Sequence, residues 1–464
     1  MVILKAIAAG FALFLTFAPF NIWPAAIISA GLLYSTLIEQ DFKSRFIATF
    51  LFGLTFFLPL LHWSSTYVGA LPWIILATGQ ALLFSLMSIV PYRKDFASAL
   101  LFAAVFTFVE LIRMKAPFGG FGWGRIGHTQ TEIFADLYPT FGVTGITFVI
   151  VLFGTLLVNR KLNSILFFSI AVFLLAALPN SLKLVGTVDL VGVQGGVDKL
   201  GLDFNDRAFS VLKNHIDVTK NLVGKSDLIV WPENSSDIDP MQNPKARELI
   251  TNLISKKKEP ILVGAVEQSA AGPLNSSILF DSSGALQSRY IKQDLAPFGE
   301  YIPLRLIAEF ISPEAKSVRN FISGDEWVIH RINEAKILPV ICFELLDDDH
   351  LRDGVKLADV IVNQTNKATF GRGNQSAQQL QIARARSAEC GRETFAVSTT
   401  GFTAHIDNRG QILQELPRFK AGNLEASVKR YEGQTVASRI SSWHWFGFLG
   451  LLIAISRLRN LADN

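Results

Sequence analysis

Three segments of the sequence end an apolar run on a residue that can do chemistry. Glu233 follows Leu228-Ile-Val-Trp-Pro, Lys292 comes just after a predicted hairpin strand, and Cys342 follows Pro339-Val-Ile. In α/β sheets, strand ends followed by turns present reactive groups to a crevice. We therefore expect these three side chains to share one site.

A carboxylate, an amine and a thiol form a set suited to acyl transfer. A thiol is a strong nucleophile only as thiolate, so Cys342 needs a base or a cation nearby. Glu233 can take that proton and later protonate a leaving group. Lys292 can donate to the oxyanion of a tetrahedral intermediate. Taken singly, each has a simpler interpretation: an inert core cysteine, a solvated turn carboxylate and a surface charge.

Short β-branched runs alternate with amphipathic stretches from Val185 onward, which predicts a layered α/β domain of about 250 residues. The predicted strands are Thr187–Gln194, Asp227–Trp231, Pro260–Glu267, Ile337–Phe343, Ala358–Asn363 and Phe395–Ile406. The predicted helices are Asp203–Val223, Pro244–Lys257 and Asn374–Gly391. Hairpin turns are expected at Asp281–Gly284 and Asp407–Gly410.

The first 180 residues have the composition of a membrane protein. They hold 16 charged residues, whereas the other 284 hold 66, close to the share of about 25% in soluble domains. Eight apolar runs are each near the length that crosses roughly 30 Å of hydrocarbon. They lie at residues 3–19, 22–38, 46–62, 71–91, 98–113, 141–158, 164–179 and 443–457. This pattern excludes a soluble protein, a disordered protein and a nucleic-acid binder.

Loop charges orient this predicted bundle. The basic residues of alternate loops and ends are Lys5, Lys43, Arg45, Arg93, Lys94, Arg160, Lys161, Arg457 and Arg459. By the positive-inside rule both termini are cytoplasmic and residues 180–440 lie outside. The loop with Arg113, Lys115 and Arg125 disagrees. Glu110 and Arg113 are expensive in lipid, which predicts either a mutual ion pair or a contact with lipid head groups.

Neither a disulfide framework nor a metal site is expected. The chain has two cysteines, Cys342 and Cys390, and its seven histidines show no metal-ligand spacing. We predict no metal and no cofactor. Cys390 has no acid or lysine motif beside it, which predicts a structural role.

In this order, the motifs resemble those of the nitrilase superfamily, whose members use a Glu-Lys-Cys triad on an αββα sandwich. The matching blocks are Trp231-Pro-Glu233, Lys292 with Pro297-Phe-Gly-Glu300, Ile341-Cys-Phe-Glu344, and Asn363-Gln-Thr-Asn366 with Phe370-Gly371. With apolar spans on both sides, the whole chain is similar to the bacterial apolipoprotein N-acyltransferase family. The resemblance implies three parts: a transmembrane bundle of about seven spans at residues 1–180, an extracytoplasmic nitrilase-like domain at 185–430, and a transmembrane helix with a cytoplasmic tail at 440–464.

The resemblance also implies an activity at the bacterial cytoplasmic membrane. A fatty acyl chain would pass from a membrane phospholipid to the N-terminal amine of diacylglyceryl-cysteine in apolipoproteins, by a ping-pong reaction through a thioester. The implied partners are the phospholipid donor, the diacylated lipoprotein acceptor and membrane lipids, without nucleic acid. The protein is expected to be a monomer.

By the same resemblance, Cys342 is the nucleophile, Glu233 the general base and Lys292 the oxyanion donor. Supporting roles are implied for three neighbours: Glu300 tunes Lys292, the backbone N–H of Phe343 completes the oxyanion site, and Glu344 lies near the nucleophile.

Several positions depart from the family pattern. Phe343 stands where Tyr is frequent, Asn234–Pro240 is unusually polar, and Asn366–Gly371 reads Asn-Lys-Ala-Thr-Phe-Gly where Asn-Asp-Ala-Trp-Phe-Gly is commoner. These changes are more similar to actinobacterial members than to proteobacterial ones. Gln194 either matches a family glutamine or is a buried structural amide.

Alternatives remain open at this point. Tyr301–Ser312 predicts a membrane-dipping arm, or else an ordinary packed helix. The competing functions are a membrane-tethered amidase or nitrilase-type C–N hydrolase, and a non-catalytic transporter or sensor with a nitrilase-like domain.

Overall fold

The computed structural model describes residues 1–67, 69–160, 162–197, 200–201, 208–311, 316 and 319–462, with the backbone alone at 311 and 457–462. The chain divides into two compact units. One comprises Met1–Ser65, Gly69–Asn180 and Thr435–Asn464, and the other comprises Ser181–Gln434 with the short segment Thr66–Val68. Predicted features at Lys161, residues 203–207 and Ser312 lie outside the described residues, as do the side chains of Arg457 and Arg459.

The helices follow one another along the whole chain. They are α1 (Val2–Phe14), α2 (Ala25–Leu37), α3 (Phe42–Leu60), α4 (Ala70–Phe84), α5 (Phe96–Lys115), α6 (Thr131–Phe134), α7 (Tyr138–Asn159), α8 (Leu162–Ala176), α9 (Ser210–Lys220), α10 (Pro244–Lys257), α11 (Arg305–Ile311), α12 (Asp348–Gly354), α13 (Gln375–Cys390) and α14 (Ser442–Ala462).

Each of the eight predicted apolar runs coincides with a helix of the first unit. Within the part of the chain that the structure describes, four helical stretches are long and apolar enough to cross a membrane: Phe42–Leu60, Ala70–Ile89, Phe96–Lys115 and Thr131–Asn159. The other four, α1, α2, α8 and the apolar part of α14, have 10–17 residues. A straight crossing needs about 20 residues. Four of the eight runs therefore lie in helices of full spanning length among the described residues, and the other four stay predicted spans.

Glu110 and Arg113 are both buried inside the helical unit. Glu110 accepts from the Ile126 N–H at 3.0 Å and from Thr147 at 2.8 Å, and lies 3.9 Å from the Arg125 guanidinium. Arg113 donates instead to a glutamine side chain and a backbone carbonyl. The structure therefore pairs Glu110 with Arg125 in place of the predicted partner Arg113, and the predicted head-group contact stays a prediction. Because Arg113 and Arg125 are buried, they do not count among the loop charges that orient the predicted bundle.

The second unit contains two sheets. Their strands are β1 (Lys183–Gln194), β2 (Leu228–Val230), β3 (Ile261–Gln268), β4 (Pro273–Phe280), β5 (Leu286–Ile291), β6 (His330–Ile332), β7 (Ala335–Ile341), β8 (Val360–Thr365), β9 (Thr394–Ser398), β10 (Ala404–Ile406), β11 (Ile412–Glu415) and β12 (Gly422–Glu432). Over the described residues the first sheet has the order β12-β1-β2-β3-β4-β5 and the second β11-β10-β9-β8-β7-β6. Parallel pairs form the centre of each sheet, β1-β2-β3 and β7-β8-β9, and antiparallel strands flank them.

One hydrophobic core lies between the two sheets. Leu190 and Leu228 reach it from the first sheet, and Ile337, Val360 and Phe395 reach it from the second. Helices α9 and α10 pack on the outer face of the first sheet and form a second hydrophobic core with it. Helices α12 and α13 pack beside the second sheet. Helix, sheet, sheet and helix therefore form the expected αββα sandwich.

Two predicted strands need correction. The run Ile337–Phe343 ends at Ile341, because Cys342 adopts φ +51°, which lies outside the β region. The run Phe395–Ile406 is two antiparallel strands, β9 and β10. The turn between them is closed by hydroxyl groups: Gly401 N–H donates to Ser398 Oγ at 2.9 Å, and Ser398 N–H donates to the threonine at 403 at 3.1 Å.

Candidate active site

Strand ends supply the predicted residues. Glu233 follows β2, Lys292 follows β5 and Cys342 follows β7, and Asn366 comes directly after β8. Since β2, β7 and β8 lie in the parallel centres of the sheets, their carboxyl ends open into the crevice where such folds bind ligands. A Cβ on Gly264 of β3 would lie 2.7 Å from Glu233 Cα, so this glycine lets the Glu233 turn approach the sheet.

Glu233, Lys292 and Glu300 form a buried ionic cluster. Lys292 Nζ lies 2.7 Å from Glu300 Oε2 and 3.6 Å from Glu233 Oε1. Asn275 Nδ2 donates to both carboxylates, at 2.8 Å to Glu233 Oε1 and 2.7 Å to Glu300 Oε1. The Asn366 N–H donates to Glu233 Oε2 at 2.7 Å. Both oxygens of Glu233 are therefore held in fixed directions.

Lys292 is 1% exposed. Burial alone would lower the pKa of its ammonium, but the carboxylates of Glu300 and Glu233 outweigh burial and raise this pKa above the ordinary lysine range. The amine therefore stays charged at neutral pH. An ammonium has three N–H donors, and the 2.7 Å contact with Glu300 uses one of them, which leaves donors for another acceptor.

Cys342 begins a sharp turn. Its left-handed φ of +51° stores backbone strain of roughly 1–3 kcal/mol and leads directly from β7 into the 3₁₀ turn Cys342–Leu346. Burial raises the pKa of the thiol and the Glu233 carboxylate raises it further, while the ammoniums of Lys367 and Lys292 lower it. The net pKa is above the ordinary cysteine value, so the thiol is protonated at rest. Attack by its sulfur then requires a group that takes the proton.

Sequence comparisons identify relatives along the whole chain. The family model of the apolipoprotein N-acyltransferase N-terminal domain matches residues 9–156, and that of carbon-nitrogen hydrolases matches residues 205–437. An apolipoprotein N-acyltransferase of Haemophilus ducreyi is 28% identical over 490 aligned positions, which cover 96% of this chain and 94% of that protein. Another, of Mycolicibacterium smegmatis, is 30% identical over 482 positions, which cover 94% of this chain and 81% of that protein. The chain belongs to the apolipoprotein N-acyltransferase family.

Solved structures similar to this family member include a CN-hydrolase superfamily protein of Xanthomonas campestris with an arsenic adduct in its active site. It is 18% identical, covers 53% of this chain and 91% of its own, and has a TM-score of 0.40. The family matches and the two sheets confirm the expected fold class, a nitrilase-like αββα domain joined to a helical region with apolar helices of membrane-spanning length.

Glu344 connects the nucleophile turn to the lysine loop in this member of the apolipoprotein N-acyltransferase family. Its Oε2 accepts from the Ile341 N–H at 2.6 Å, directly before Cys342. Its Oε1 accepts from the Tyr290 hydroxyl at 2.6 Å and from the Gln293 N–H at 2.8 Å, on either side of the lysine. Burial raises the pKa of Glu344, and nearby charges and hydrogen bonds offset part of that rise. Glu344 therefore links the backbone before Cys342 with the chain on either side of Lys292.

Two other residues singled out in the sequence have structural surroundings. The Gln194 amide donates to the backbone carbonyls of Pro417 and Lys420 at 3.0 and 2.8 Å, and its oxygen accepts from Thr403 at 2.8 Å. These contacts favour the structural alternative for this glutamine. Burial raises the pKa of the Cys390 thiol to about 12, which agrees with an inert cysteine.

Sequence reasoning missed Lys367 as a site residue. Its Nζ lies 3.7 Å from Cys342 Sγ, and the residue is 3% exposed. Gln379 binds both groups, because its Oε1 accepts from the Lys367 ammonium and its Nε2 donates to the Cys342 carbonyl at 2.9 Å. The available signal was the position of Lys367 just past a predicted strand, like the other three reactive residues. Phe343, next to the nucleophile, is half-buried, and the role of its N–H stays a prediction.

Proposed function

We propose that this chain transfers a fatty acyl chain from the sn-1 position of a membrane phospholipid to the N-terminal amine of diacylglyceryl-cysteine on an apolipoprotein. Membership of the acyltransferase family supports the reaction class. The observation that carries the site assignment is the buried cluster of Glu233, Lys292 and Glu300, whose charges all act on the Cys342 thiol.

In the first half-reaction Glu233 takes the proton of Cys342, and the sulfur attacks the ester carbonyl. The S–C bond forms while the carbonyl π electrons move to oxygen, where the free N–H of Lys292 and the Phe343 N–H donate. The tetrahedral intermediate collapses and the ester C–O bond breaks. Glu233 returns its proton to the leaving oxygen, which releases the lysophospholipid and leaves a thioester on Cys342.

In the second half-reaction the α-amine of the lipoprotein cysteine attacks the thioester. Glu233 takes a proton from the amine as the N–C bond forms, and Lys292 again faces the oxyanion. The C–S bond breaks, the electron pair returns to sulfur, and Glu233 returns the proton to the thiolate of Cys342. The product is the amide, and the free thiol is restored.

Two carboxylates support this chemistry through other residues. Glu300 fixes the charge and direction of Lys292, and the Ala296 N–H holds Glu300 Oε2 at 2.8 Å. Glu344 holds the backbone before Cys342 and around the lysine. Neither contacts the thiol directly in this proposal.

Because both substrates are lipids, the catalytic domain must work at a membrane surface. We place residues 1–180, as about seven spans, and residues 440–464, as a last span with a cytoplasmic tail, in the cytoplasmic membrane of a bacterium. The catalytic domain, residues 185–430, then lies on the extracytoplasmic face. The apolar helices and the basic residues of alternate loops support this placement.

Helix α11 begins five residues after Glu300 and exposes large apolar side chains. Leu306 is 88% exposed, Ile307 56% and Phe310 92%. A single exposed apolar residue is ordinary, but three on one seven-residue helix mark a surface that binds lipid or another apolar partner. We assign α11 as a membrane-dipping arm beside the site.

Placing aspartate at both Ile307 and Phe310 is expected to lower turnover of phospholipid in vesicles by about 10- to 100-fold, since the arm loses the apolar area that inserts into lipid. Turnover of a short, water-soluble ester should stay unchanged. The matched control is Leu413→Asp, because Leu413 is 51% exposed on β11, away from this arm in the sequence. Equal vesicle turnover by the double variant and the wild type would remove the arm from the proposal.

Intact-protein mass spectrometry tests the reaction itself. Wild type incubated with phospholipid should gain the mass of a fatty acyl chain and lose it when a diacylated lipopeptide is added. The Cys342→Ser variant should form no thioester. An adduct resolved by water and untouched by the amine would favour the membrane-tethered hydrolase. A folded, reduced wild type that forms no adduct would exclude the phospholipid donor and move the amidase reaction to first place.

A further inference from the structure

A second buried lysine contacts the nucleophile and has no role in the mechanism above. Lys367 Nζ is 3.7 Å from Cys342 Sγ, within the distance of a hydrogen bond to sulfur. The stem of this lysine fits against Gly401, where a Cβ would lie 2.7 Å from Lys367 Cγ. The side chain is therefore directed at the sulfur by packing as well as by its contact with Gln379.

The two lysines of the site have different partners. Lys292 lies between the carboxylates of Glu233 and Glu300. Among the described residues, no carboxylate oxygen lies within 4.0 Å of Lys367 Nζ; its contacts are the Gln379 amide oxygen and the Cys342 sulfur. Burial lowers the pKa of Lys367, and negative charge on Cys342 acts in the opposite direction. The Glu233 carboxylate also raises this pKa, from more than 4.0 Å away, so the Cys342 sulfur is the group that can place a negative charge in direct contact with the Lys367 ammonium.

The position of the negative charge changes when the thiol is activated. Once the Cys342 proton has moved to Glu233, the thiolate and Glu300 are negative and Lys292 is positive. These groups leave one net negative charge in a site that is largely closed to water, which is an unfavourable state. With Lys367 as the second cation, two positive and two negative groups balance both before and after the proton moves. What Lys367 adds on activation is a cation 3.7 Å from the sulfur, where the negative charge then lies.

We propose that Lys367 is a fourth catalytic residue, the cation that pairs with the Cys342 thiolate in both half-reactions. In the first, it stabilises the sulfur anion that forms as the proton moves to Glu233. In the second, it faces the sulfur again when the C–S bond breaks and the electron pair returns. Lys367 keeps its own protons throughout, unlike Glu233, and it faces sulfur, whereas Lys292 faces oxygen. The acyl donor and acceptor rest on the proposed function, but the ion pair does not.

Alkylation of Cys342 by iodoacetamide measures this ion pair without any lipid. The full chain in detergent is alkylated over about pH 6 to 10, and peptide mass spectrometry separates Cys342 from the buried Cys390. Lys367→Met keeps the length and removes the charge, so the apparent pKa of Cys342 should rise and alkylation at neutral pH should fall about tenfold, the factor for one pKa unit. Lys367→Arg keeps the charge and should keep the wild-type profile.

The matched control is Lys356→Met, because Lys356 is an exposed lysine paired with Asp353 at 2.6 Å. An unchanged alkylation profile in folded Lys367→Met overturns the ion pair. Equal losses in Lys367→Met and Lys367→Arg also overturn it, because shape and not charge would then matter. Failure of the proposed function gives a different result. The wild type is then alkylated as described and Lys367→Met still slows alkylation, but the wild type takes no acyl chain from phospholipid. That result supports the ion pair and excludes the phospholipid donor.

Discussion

Replacing Glu233 with glutamine is expected to lower the rates of both half-reactions by about 10²- to 10⁴-fold, the usual contribution of a general base. In the proposed mechanism the Glu233 carboxylate exchanges protons with the thiol, the leaving oxygen and the amine, so we expect both half-reactions to slow. The amide keeps the shape but cannot accept a proton, and its NH₂ group must face either the Asn275 amide or the Asn366 N–H. Single-turnover formation of the thioester, followed by transfer to a lipopeptide, measures the two rates separately.

The same variant should show the opposite change towards iodoacetamide. Because the Glu233 carboxylate raises the pKa of the Cys342 thiol, its removal increases the thiolate fraction at neutral pH and speeds alkylation. A variant whose site is misfolded would instead lose both acyl transfer and alkylation by iodoacetamide. The control is Glu259→Gln, a buried carboxylate before the start of β3 that accepts from the Ser226 N–H at 2.8 Å. Glu233→Gln with more than about a tenth of the wild-type transfer rate would contradict the assignment of the base.

The central strands of the catalytic unit can be read from the sequence, and the flanking strands cannot. β2 and β8 are continuous buried runs, so their apolar character alone marks them. β12 is long but buries only alternate positions, and β11 is mostly exposed, so both resemble polar loops in sequence. β9 and β10 fuse into one predicted strand because the threonines of the turn between them favour β-structure.

The candidate site can likewise be predicted from the sequence only in part. Glu233 and Cys342 can be predicted as candidate site residues because each lies at the end of a central strand that the sequence marks. Lys292 can be predicted because it follows a hairpin whose turn, Asp281–Gly284, the sequence marks. Asn275 cannot, because it lies within β4 and meets Glu233 only through the pairing of neighbouring strands. The proximity of Lys367 to Cys342 likewise depends on the parallel pairing of β7 with β8, which brings the ends of both strands together.

Replacing Lys292 with methionine is expected to slow thioester formation by about 10²- to 10³-fold, the loss typical of a missing oxyanion donor. The loss should fall on kcat and leave KM for phospholipid nearly unchanged, because the carbonyl oxygen carries full charge only near the transition state. Single-turnover acylation at saturating phospholipid measures it. A fall in apparent affinity with normal single-turnover rates would instead assign this lysine to substrate binding.

The substitution also leaves Glu233 and Glu300 facing each other through Asn275 without the cation between them. Removing one partner of a buried ion pair costs about 3–5 kcal/mol of stability, so Lys292→Met alone would confuse folding with chemistry. The double variant Lys292→Met, Glu300→Gln removes the uncompensated charge as well. The oxygen of an amide at 300 can still accept one of the two hydrogen bonds that Glu300 accepts from Asn275 and Ala296. The double variant should therefore recover part of the thermal stability while acyl transfer stays lost. Recovery of transfer together with stability would mean that Lys292 holds the two carboxylates in place and donates to no oxyanion.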